Sequence, residues 1–193
     1  MNIIISLGNS NYIAYQEIVA IFMANSKPIK RLVSEARENN KIIDFRSGSK
    51  TKSVILTMNG SIILSSFNSK TLVKNINETL HTSNLEYNIY LMPLIHIGNN
   101  NYIPCEKIYY LESTLTASGI KSMRNKKKNV VYYDISQKTK TRAIINIING
   151  EMILTNISSN MISKRYNEAM IAVANKKPYY ISSSAKKKGD ENE

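Results

Sequence analysis

Residues 7–13 read Leu-Gly-Asn-Ser-Asn-Tyr-Ile, and residues 97–103 read Ile-Gly-Asn-Asn-Asn-Tyr-Ile, so five of seven positions are identical at a spacing of 90. The same spacing aligns residues 50–55 with 140–145 and residues 59–64 with 149–154. Self-similarity at a fixed period is the signature of a repeat architecture. The chain is therefore predicted to be a tandem duplication of one folding unit.

Each unit is predicted to be a small α+β domain with a mainly antiparallel sheet. In copy one, Ser26 is a suitable N-cap, Pro28 falls in the first turn, and an apolar stripe at helical spacing follows it to Ala36. β-rich runs flank this helix, and a short second helix closes the unit. The predicted segments are strands at 3–7, 12–14, 18–22, 41–45, 53–58 and 61–65, and closing helices near 69–77 and 158–174.

The dipeptide Asn59-Gly60 separates two β-rich runs and returns as Asn149-Gly150. Such a dipeptide favours a two-residue hairpin of type I′, in which both turn residues have positive φ. The sequence thus predicts the same hairpin turn in both copies. The domain boundaries that follow are repeat one at 1–78, a linker at 79–92, repeat two at 93–174, and a disordered basic and acidic tail at 175–193.

The charge balance points to a polyanionic partner. The 193 residues hold 26 Lys and Arg against 14 Asp and Glu, which gives a net charge of +12 and a pI near 9.7. A hydrophobic content of 42% is enough for packed cores. The single cysteine, Cys105, excludes a disulfide framework, and the absence of a long apolar run predicts a cytoplasmic protein with no membrane contact.

Cations are concentrated in the loop before the hairpin of each copy. In both loops they alternate with Ser or Thr, so an extended chain places them on one face, where they could follow a phosphate backbone. A solvated loop that serves only solubility remains the alternative. The loop cations are Arg46, Lys50, Lys52, Lys138, Lys140 and Arg142.

A second group of cations lies near the start of the first helix of each copy. Lys30 and Arg31 in copy one and Lys121 in copy two could add to the anion preference of a helix N-terminus. The run 126–128 is explained at least as well by cations that offset a helix dipole.

The sequence predicts no enzyme. His81 and His96 have no partner at metal-ligand spacing, and Cys105 reads as a small hydrophobic residue. No phosphate-binding loop, dinucleotide-binding turn or nucleophile elbow is present. We therefore expect no cofactor, no metal and no small-molecule substrate.

Several segments together resemble the RemA family of bacterial regulators of extracellular-matrix genes, and its relative RemB. The resemblance covers residues 3–78 well and residues 95–168 more loosely, whereas members of that family usually have a single copy. The segments that carry it are Gly8-Asn9-Ser10-Asn11, Pro28-Ile29-Lys30-Arg31, Glu35-Ala36-Arg37, Ile42-Ile43-Asp44, Lys50-Thr51-Lys52-Ser53-Val54 and Ile62-Ile63-Leu64-Ser65.

The resemblance implies a LytTR-like fold, subunits that assemble into a ring, and double-stranded DNA bound through the loop before the hairpin. The family's arginine-rich loop falls on residues 48–52 and 137–142. One of its arginines is replaced by Ser49 in copy one and by Thr139 in copy two, and other arginines are replaced by lysines. Lysine retains a phosphate contact but loses bidentate base recognition. A further family arginine aligns with Glu17 in copy one and Lys107 in copy two, which implies stronger binding by copy two.

The leading hypothesis is a homo-oligomeric, nucleoid-associated DNA-binding protein of transcription regulation, with ten contact residues. Two alternatives remain open from the sequence, a non-catalytic scaffold and an RNA-binding module. The ten residues are Lys30, Arg31, Arg46, Lys50, Lys52, Lys107, Lys121, Lys138, Lys140 and Arg142.

Overall fold

The computed structural model describes residues 3–8, 10–87 and 89–179, and it has the same elements in the same order in both copies. Copy one contains β1 (Ile4–Gly8), β2 (Asn11–Ala14), β3 (Ile18–Met23), α1 (Lys27–Glu38), β4 (Ile42–Asp44), β5 (Ser53–Thr57), β6 (Ile62–Ser65) and α2 (Ser69–Tyr87). Copy two contains β7 (Leu94–Gly98), β8 (Asn101–Pro104), β9 (Ile108–Ser113), α3 (Ala117–Asn129), β10 (Tyr132–Asp134), β11 (Ala143–Ile147), β12 (Met152–Thr155) and α4 (Ser159–Ala174). The predicted α+β tandem repeat is confirmed.

The helices begin where side-chain caps are available. Ser26 accepts a hydrogen bond from the backbone N–H of Ile29 at the start of α1, and Thr116 accepts one from Gly119 at the start of α3. Each cap satisfies one N–H that the first turn leaves without a partner. The caps therefore hold the first helix of each copy at the end of the long strand before it.

Each copy builds a four-stranded sheet, in the order β4-β6-β5-β3 in copy one and β10-β12-β11-β9 in copy two. Only the short strands β4 and β10 pair in parallel within these sheets. The hairpin β7–β8 does not join the sheet of its own copy. Instead β8 pairs antiparallel with β3, with Ile21 opposite Tyr102, so the sheet of copy one grows to six strands. The hairpin β1–β2 remains a separate two-stranded sheet.

The two copies share one hydrophobic core. The largest buried cluster takes residues from both copies, and the rings of Phe22 and Tyr133 lie 5.7 Å apart across the junction. Cys105 is buried in this cluster, and burial raises the pKa of its thiol to about 12. A protonated, inaccessible thiol of this kind acts as a small apolar side chain.

The predicted hairpins are present, but the predicted type I′ turn is wrong. In the first turn only Gly60 has a positive φ, of 76°, and its N–H donates to the carbonyl of Thr57 at 2.9 Å. Asn59 instead uses its amide oxygen to accept the N–H of Ser61. This is the three-residue loop with a glycine bulge, and Gly150 repeats it in copy two.

The closing helix of copy one is longer than predicted, and the expected linker at 79–92 is largely helical. The helix α2 continues to Tyr87, Leu80 is buried, and the side chain of Asn84 both donates to and accepts from the backbone of Leu91. In copy two the predicted end near residue 174 agrees with α4. Of the predicted tail, residues 175–179 fold back so that Tyr179 packs on the shared core, and residues 180–193 lie outside the described residues.

Candidate nucleic-acid interface

The basic loops of the two copies have the same backbone shape. In copy one the N–H of Ser49 donates to the carbonyl of Arg46 at 3.0 Å, and in copy two Thr139 donates to Ser136 at 3.1 Å. Two consecutive residues have positive φ in each loop, at positions 47–48 and 137–138. The loops therefore present equivalent positions in equivalent directions relative to their own sheets.

Five of the six loop cations predicted from the sequence extend into solvent. Within the part of the chain that the structure describes, none of them forms an ion pair, so their charge is available to a ligand. They flank the short extended segment that leads into β5 or β11. These cations are Lys50, Lys52, Lys138, Lys140 and Arg142.

Arg46 is different because its guanidinium turns back onto its own loop. Its Nε donates to Asp44 Oδ1 at 2.7 Å, a second nitrogen contacts Oδ2 of the same carboxylate, and a third lies 3.3 Å from the hydroxyl of Thr51. The hydrogen bonds from Arg46 lower the pKa of Asp44 to about 2. In copy two Ser136 holds this place and donates to Asp134 at 2.6 Å. The side chain of Arg46 is thus only one-quarter exposed, and it stabilises the conformation of its own loop.

The β7–β8 turn contacts the regions of both loops. Asn99 donates to the carbonyl of Ile135 at 2.8 Å, immediately before the copy-two loop. Asn100 lines a cleft with Lys50 and Lys52 of the copy-one loop. A single backbone turn therefore separates the two groups of cations.

Of the cations on the first helices, Arg31 lies close to the base of a basic loop. Lys30 and Arg31 are exposed on α1, and Arg31 pairs with Glu35 at 3.0 Å. α1 packs against β10, where Arg31 and Asp134 line the same cleft at the base of the copy-two loop. Lys121 is exposed on α3.

Lys126, further along α3, points inward and does not belong to this surface. Its ammonium contacts the carboxylate of Glu112 and lies 2.8 Å from the Tyr110 hydroxyl and 3.0 Å from the amide oxygen of Asn146. The interpretation of the run 126–128 as structural therefore holds for Lys126.

Lys107 is buried at the junction between the copies and not on the loop surface. Its side chain is 7% exposed, and its ammonium donates to the backbone carbonyl of Gln16 at 2.7 Å and lies 3.8 Å from Glu106. A buried ammonium with these partners cannot reach a phosphate from outside. The DNA contact expected for Lys107 is thus corrected to a structural contact between the repeats.

Sequence reasoning missed Lys70. It lies in the first turn of α2 and lines the cleft with Lys50, Lys52 and Asn100. The helix begins with the side chain of Asn68 accepting the N–H of Thr71 at 2.8 Å. A cation at a helix N-terminus opposes the helix dipole, and that mismatch is the signal that could have identified it.

Nothing in the described ranges forms a metal centre of three or more His, Cys, Asp or Glu side chains. Over the same residues, no helix has the length and apolar character needed to cross a bilayer. His96 lies on β7 at the junction, where its Nε2 accepts the N–H of Asn100.

Comparisons with known proteins agree with this architecture. The family model described as RemA-like, extracellular matrix regulatory protein A-like, matches twice, at residues 4–76 and 94–166. A protein of Thermodesulfovibrio yellowstonii, named as a regulatory protein, is 37% identical over 75 residues, which cover 39% of this chain and 88% of the relative. Similarly named proteins of Synechococcus elongatus and Bacillus cereus are 36% and 37% identical over 73 residues each, covering 38% of this chain and 84% of each relative. These relatives thus have the length of one copy.

Proposed function

The chain belongs to the RemA-like family of regulatory proteins, with two family domains in one polypeptide, and we propose that it regulates transcription by binding double-stranded DNA. In this proposal the basic loops of both copies contact the phosphate backbone, with little dependence on base sequence. The protein is non-catalytic, acts at the nucleoid in the cytoplasm, and assembles with itself into a ring or an arc. Because each chain supplies two domains, half as many chains close a ring of a given size.

One observation carries the proposal, namely the five exposed loop cations on two loops that a single turn, β7–β8, connects. Lys50 and Lys52 border the cleft that Asn100 lines, and Asn99 of the same turn binds the base of the loop with Lys138, Lys140 and Arg142. Lysine and arginine at regular intervals along a surface can neutralise successive phosphates and release their counterions. Most of these cations are lysines, which favours backbone contact over base reading.

Copy two is expected to contribute more of the binding. Residues 91–193 hold 16 Lys and Arg against 8 Asp and Glu, whereas residues 1–90 hold 10 against 6. The copy-two loop also has three exposed cations where the copy-one loop has two, since Arg46 is bound to Asp44.

The experiment is the binding of a fluorescent duplex of about 30 base pairs over a salt series. Replacing Lys138, Lys140 and Arg142 by Ala is expected to weaken binding on all sequences alike. Each lost phosphate contact flattens the slope of log K against log salt by about 0.9, so the triple variant flattens it by up to about 2.7.

A matched control removes the same charges elsewhere. Arg37, Lys41 and Lys128 are exposed near the connections from α1 to β4 and from α3 to β10, and comprise one arginine and two lysines. Their replacement by Ala should leave the salt slope close to that of the natural chain. Equal loss in both triple variants would reduce the effect to net charge and would contradict the proposal.

The same assay separates the alternatives. Failure of any duplex to bind at low salt would leave the scaffold hypothesis. RNA, single-stranded or duplex, can also be tested as a competitor of the fluorescent DNA duplex. If RNA displaces the duplex at a lower concentration than unlabelled DNA does, the result favours an RNA-binding module.

A further inference from the structure

The contact between the two copies is a strand-and-helix junction with a defined set of hydrogen bonds. β8 of copy two adds to the edge strand β3 of copy one, with Tyr102 opposite Ile21. The backbone N–H of Met23 donates to the side-chain oxygen of Asn101 at 2.9 Å. In this way the hairpin of copy two completes a sheet that copy one leaves open.

The helix α2 holds the other strand of the same hairpin. The side chain of Asn77 donates to the carbonyl of Leu94 at 3.0 Å and accepts its N–H at 2.9 Å. At the start of α2, the hydroxyl of Ser69 donates to the carbonyl of Asn100 at 2.7 Å. Two side chains of copy one therefore bind backbone groups at both ends of the copy-two hairpin.

The spacing of 90 residues places corresponding residues on the first hairpin, β1–β2, and on α4. Asn167 of α4 holds the position of Asn77, and Ser159 that of Ser69. Ile4 and Tyr12 of the first hairpin hold the positions of Leu94 and Tyr102. β9 repeats β3, and the outer edge of β9 has no strand partner among the described residues.

The residues of the internal junction are buried, whereas their equivalents on the first hairpin and on β9 are exposed, as expected if one junction is occupied and the other is vacant. Tyr102 is 1% exposed and Tyr12 is 59% exposed. Leu94 is 0% exposed and Ile4 is 57% exposed. Val19 on β3 is 0% exposed, whereas Tyr109 at the same place on β9 is 72% exposed. Large apolar side chains on an unpaired strand edge are typical of a surface that pairs with another chain.

We propose that the β1–β2 hairpin of a second copy of this chain docks on β9 and α4, repeating the junction inside the chain. In this arrangement Tyr12 lies opposite Leu111, and the Asn167 amide binds the backbone of Ile4. The inference specifies the self-association within the proposed function, and it requires no DNA. Because the two surfaces differ, the contact is head-to-tail and repeats from chain to chain until it closes.

The two junctions differ in charge at two positions. Inside the chain, the buried Lys107 donates to the carbonyl of Gln16. Between chains, Glu17 takes the place of Lys107 and Glu106 takes the place of Gln16. That junction loses an ammonium donor and brings two carboxylates together, so it is weaker than the internal one.

The first test measures the molecular mass of the full-length chain over a protein concentration series without DNA. Two hydrogen bonds of typical strength correspond to about thirtyfold in affinity, so Asn167→Ala should raise the protein concentration at which the assembly dissociates about thirtyfold. Asn125→Ala, at an exposed position of α3, is the control and should leave it unchanged. Glu17→Lys should lower the dissociation concentration about tenfold, whereas Glu38→Lys, with the same charge change on α1, should not.

The second test traps the contact by a disulfide. Opposed residues of antiparallel strands are close enough to be bridged, so a mixture of Tyr12→Cys and Leu111→Cys chains should give a cross-linked dimer under oxidation. A mixture of Tyr12→Cys with Val131→Cys, another exposed site, should not exceed background. The double variant Tyr12→Cys with Leu111→Cys should give a ladder of higher species.

Two results would overturn the inference. One is that the natural chain and the Glu17→Lys variant both remain monomeric at all protein concentrations. The other is self-association that Asn167→Ala leaves unchanged, without cross-linking between positions 12 and 111. Duplex binding is measured separately on the same variants, so its loss with intact assembly contradicts the proposed function alone.

Discussion

Lys138 occupies a backbone conformation that its side chain disfavours. Its φ is 69°, whereas Gly48 at the equivalent place in copy one has a φ of 80° and no atom within 4 Å of an added Cβ. Left-handed backbone costs a residue with a side chain about 1 kcal/mol relative to glycine. Copy two thus retains a cation at the tip of its loop at the expense of stability.

Replacing Lys138 by Gly should therefore raise the free energy of unfolding by about 1 kcal/mol and at the same time weaken duplex binding. Chemical denaturation and the salt series measure the two effects on one variant. Gly48→Lys is the reciprocal control and should lower stability by a similar amount. A Lys138→Gly protein that is less stable than the natural chain would contradict this account.

We expect His96 to make the stability of the protein sensitive to acid. Burial, together with the nearby charge of Arg165, lowers the pKa of His96 from 6.5 to about 4. The unfolded state therefore binds a proton between about pH 6.5 and pH 4 that the folded state does not bind. The free energy of unfolding falls as the pH is lowered through that range, by up to about 3 kcal/mol from this group alone.

The comparison that isolates His96 is with His96→Ser, because copy one has Ser6 at the equivalent position. We expect the difference in unfolding free energy between the natural chain and the variant to change between pH 6.5 and pH 4, and to be constant above pH 7. Parallel stability curves over the whole range would exclude His96 as the source of the acid sensitivity.

At the scale of single residues, charge and spacing predicted the loop cations but not their partners. Lys50, Lys52 and the copy-two loop cations are exposed as expected, because an alternating pattern on a polar loop depends only on local geometry. The pairing of Arg46 with Asp44 is also local, but a two-residue spacing in a loop does not specify it. The burial of Lys107 depends on which strand lies beside its own, which is not encoded nearby in the sequence.

At the scale of elements, Gly119 decides how closely α3 approaches the end of β9. A Cβ at this position would lie 1.8 Å from the carbonyl oxygen of Ser113, which belongs to the backbone and cannot move away as a side chain could. Gly119 also donates to the helix cap Thr116. The glycine therefore permits a contact that no other residue allows.

Replacing Gly119 by Ala should lower the free energy of unfolding by about 2 kcal/mol, because α3 or β9 has to shift. Thermal and chemical denaturation measure this change. Ser118→Ala, at the neighbouring exposed position, is expected to have an effect below about 0.5 kcal/mol. Equal effects of the two substitutions would show that the close approach is not a constraint.

The elements themselves were largely predictable, and their pairing was not. The capping serine, the apolar stripe of α1 and the Asn-Gly dipeptides are short-range signals, and they located α1 and both hairpins. The partner of β8 is β3, about 80 residues earlier in the chain, so no local pattern could identify it. The extension of α2 to Tyr87 was missed because its second half depends on tertiary contacts such as Asn84 with Leu91.

At the scale of the whole molecule, the duplication was evident from the sequence, but the joining of the two copies into one body was not. Phe22 and Tyr133 pack together, and Lys107 reaches Gln16, so the copies share both core and polar contacts. A linker of the predicted kind would have left them as separate domains. The shared junction is also the basis, by translation along the repeat, for the proposed contact between chains.

The β3–β8 junction also restricts the number of domains that a closed assembly of this chain could contain. Because that junction lies inside a polypeptide, each chain would add two domains to the proposed assembly, and a closed circle of such chains would contain an even number of domains. A circle built from single-domain chains would have no such restriction. Around a circle of tandem chains the loops with two and three exposed cations would alternate, so any DNA bound along the rim would meet a charge pattern with a period of two domains.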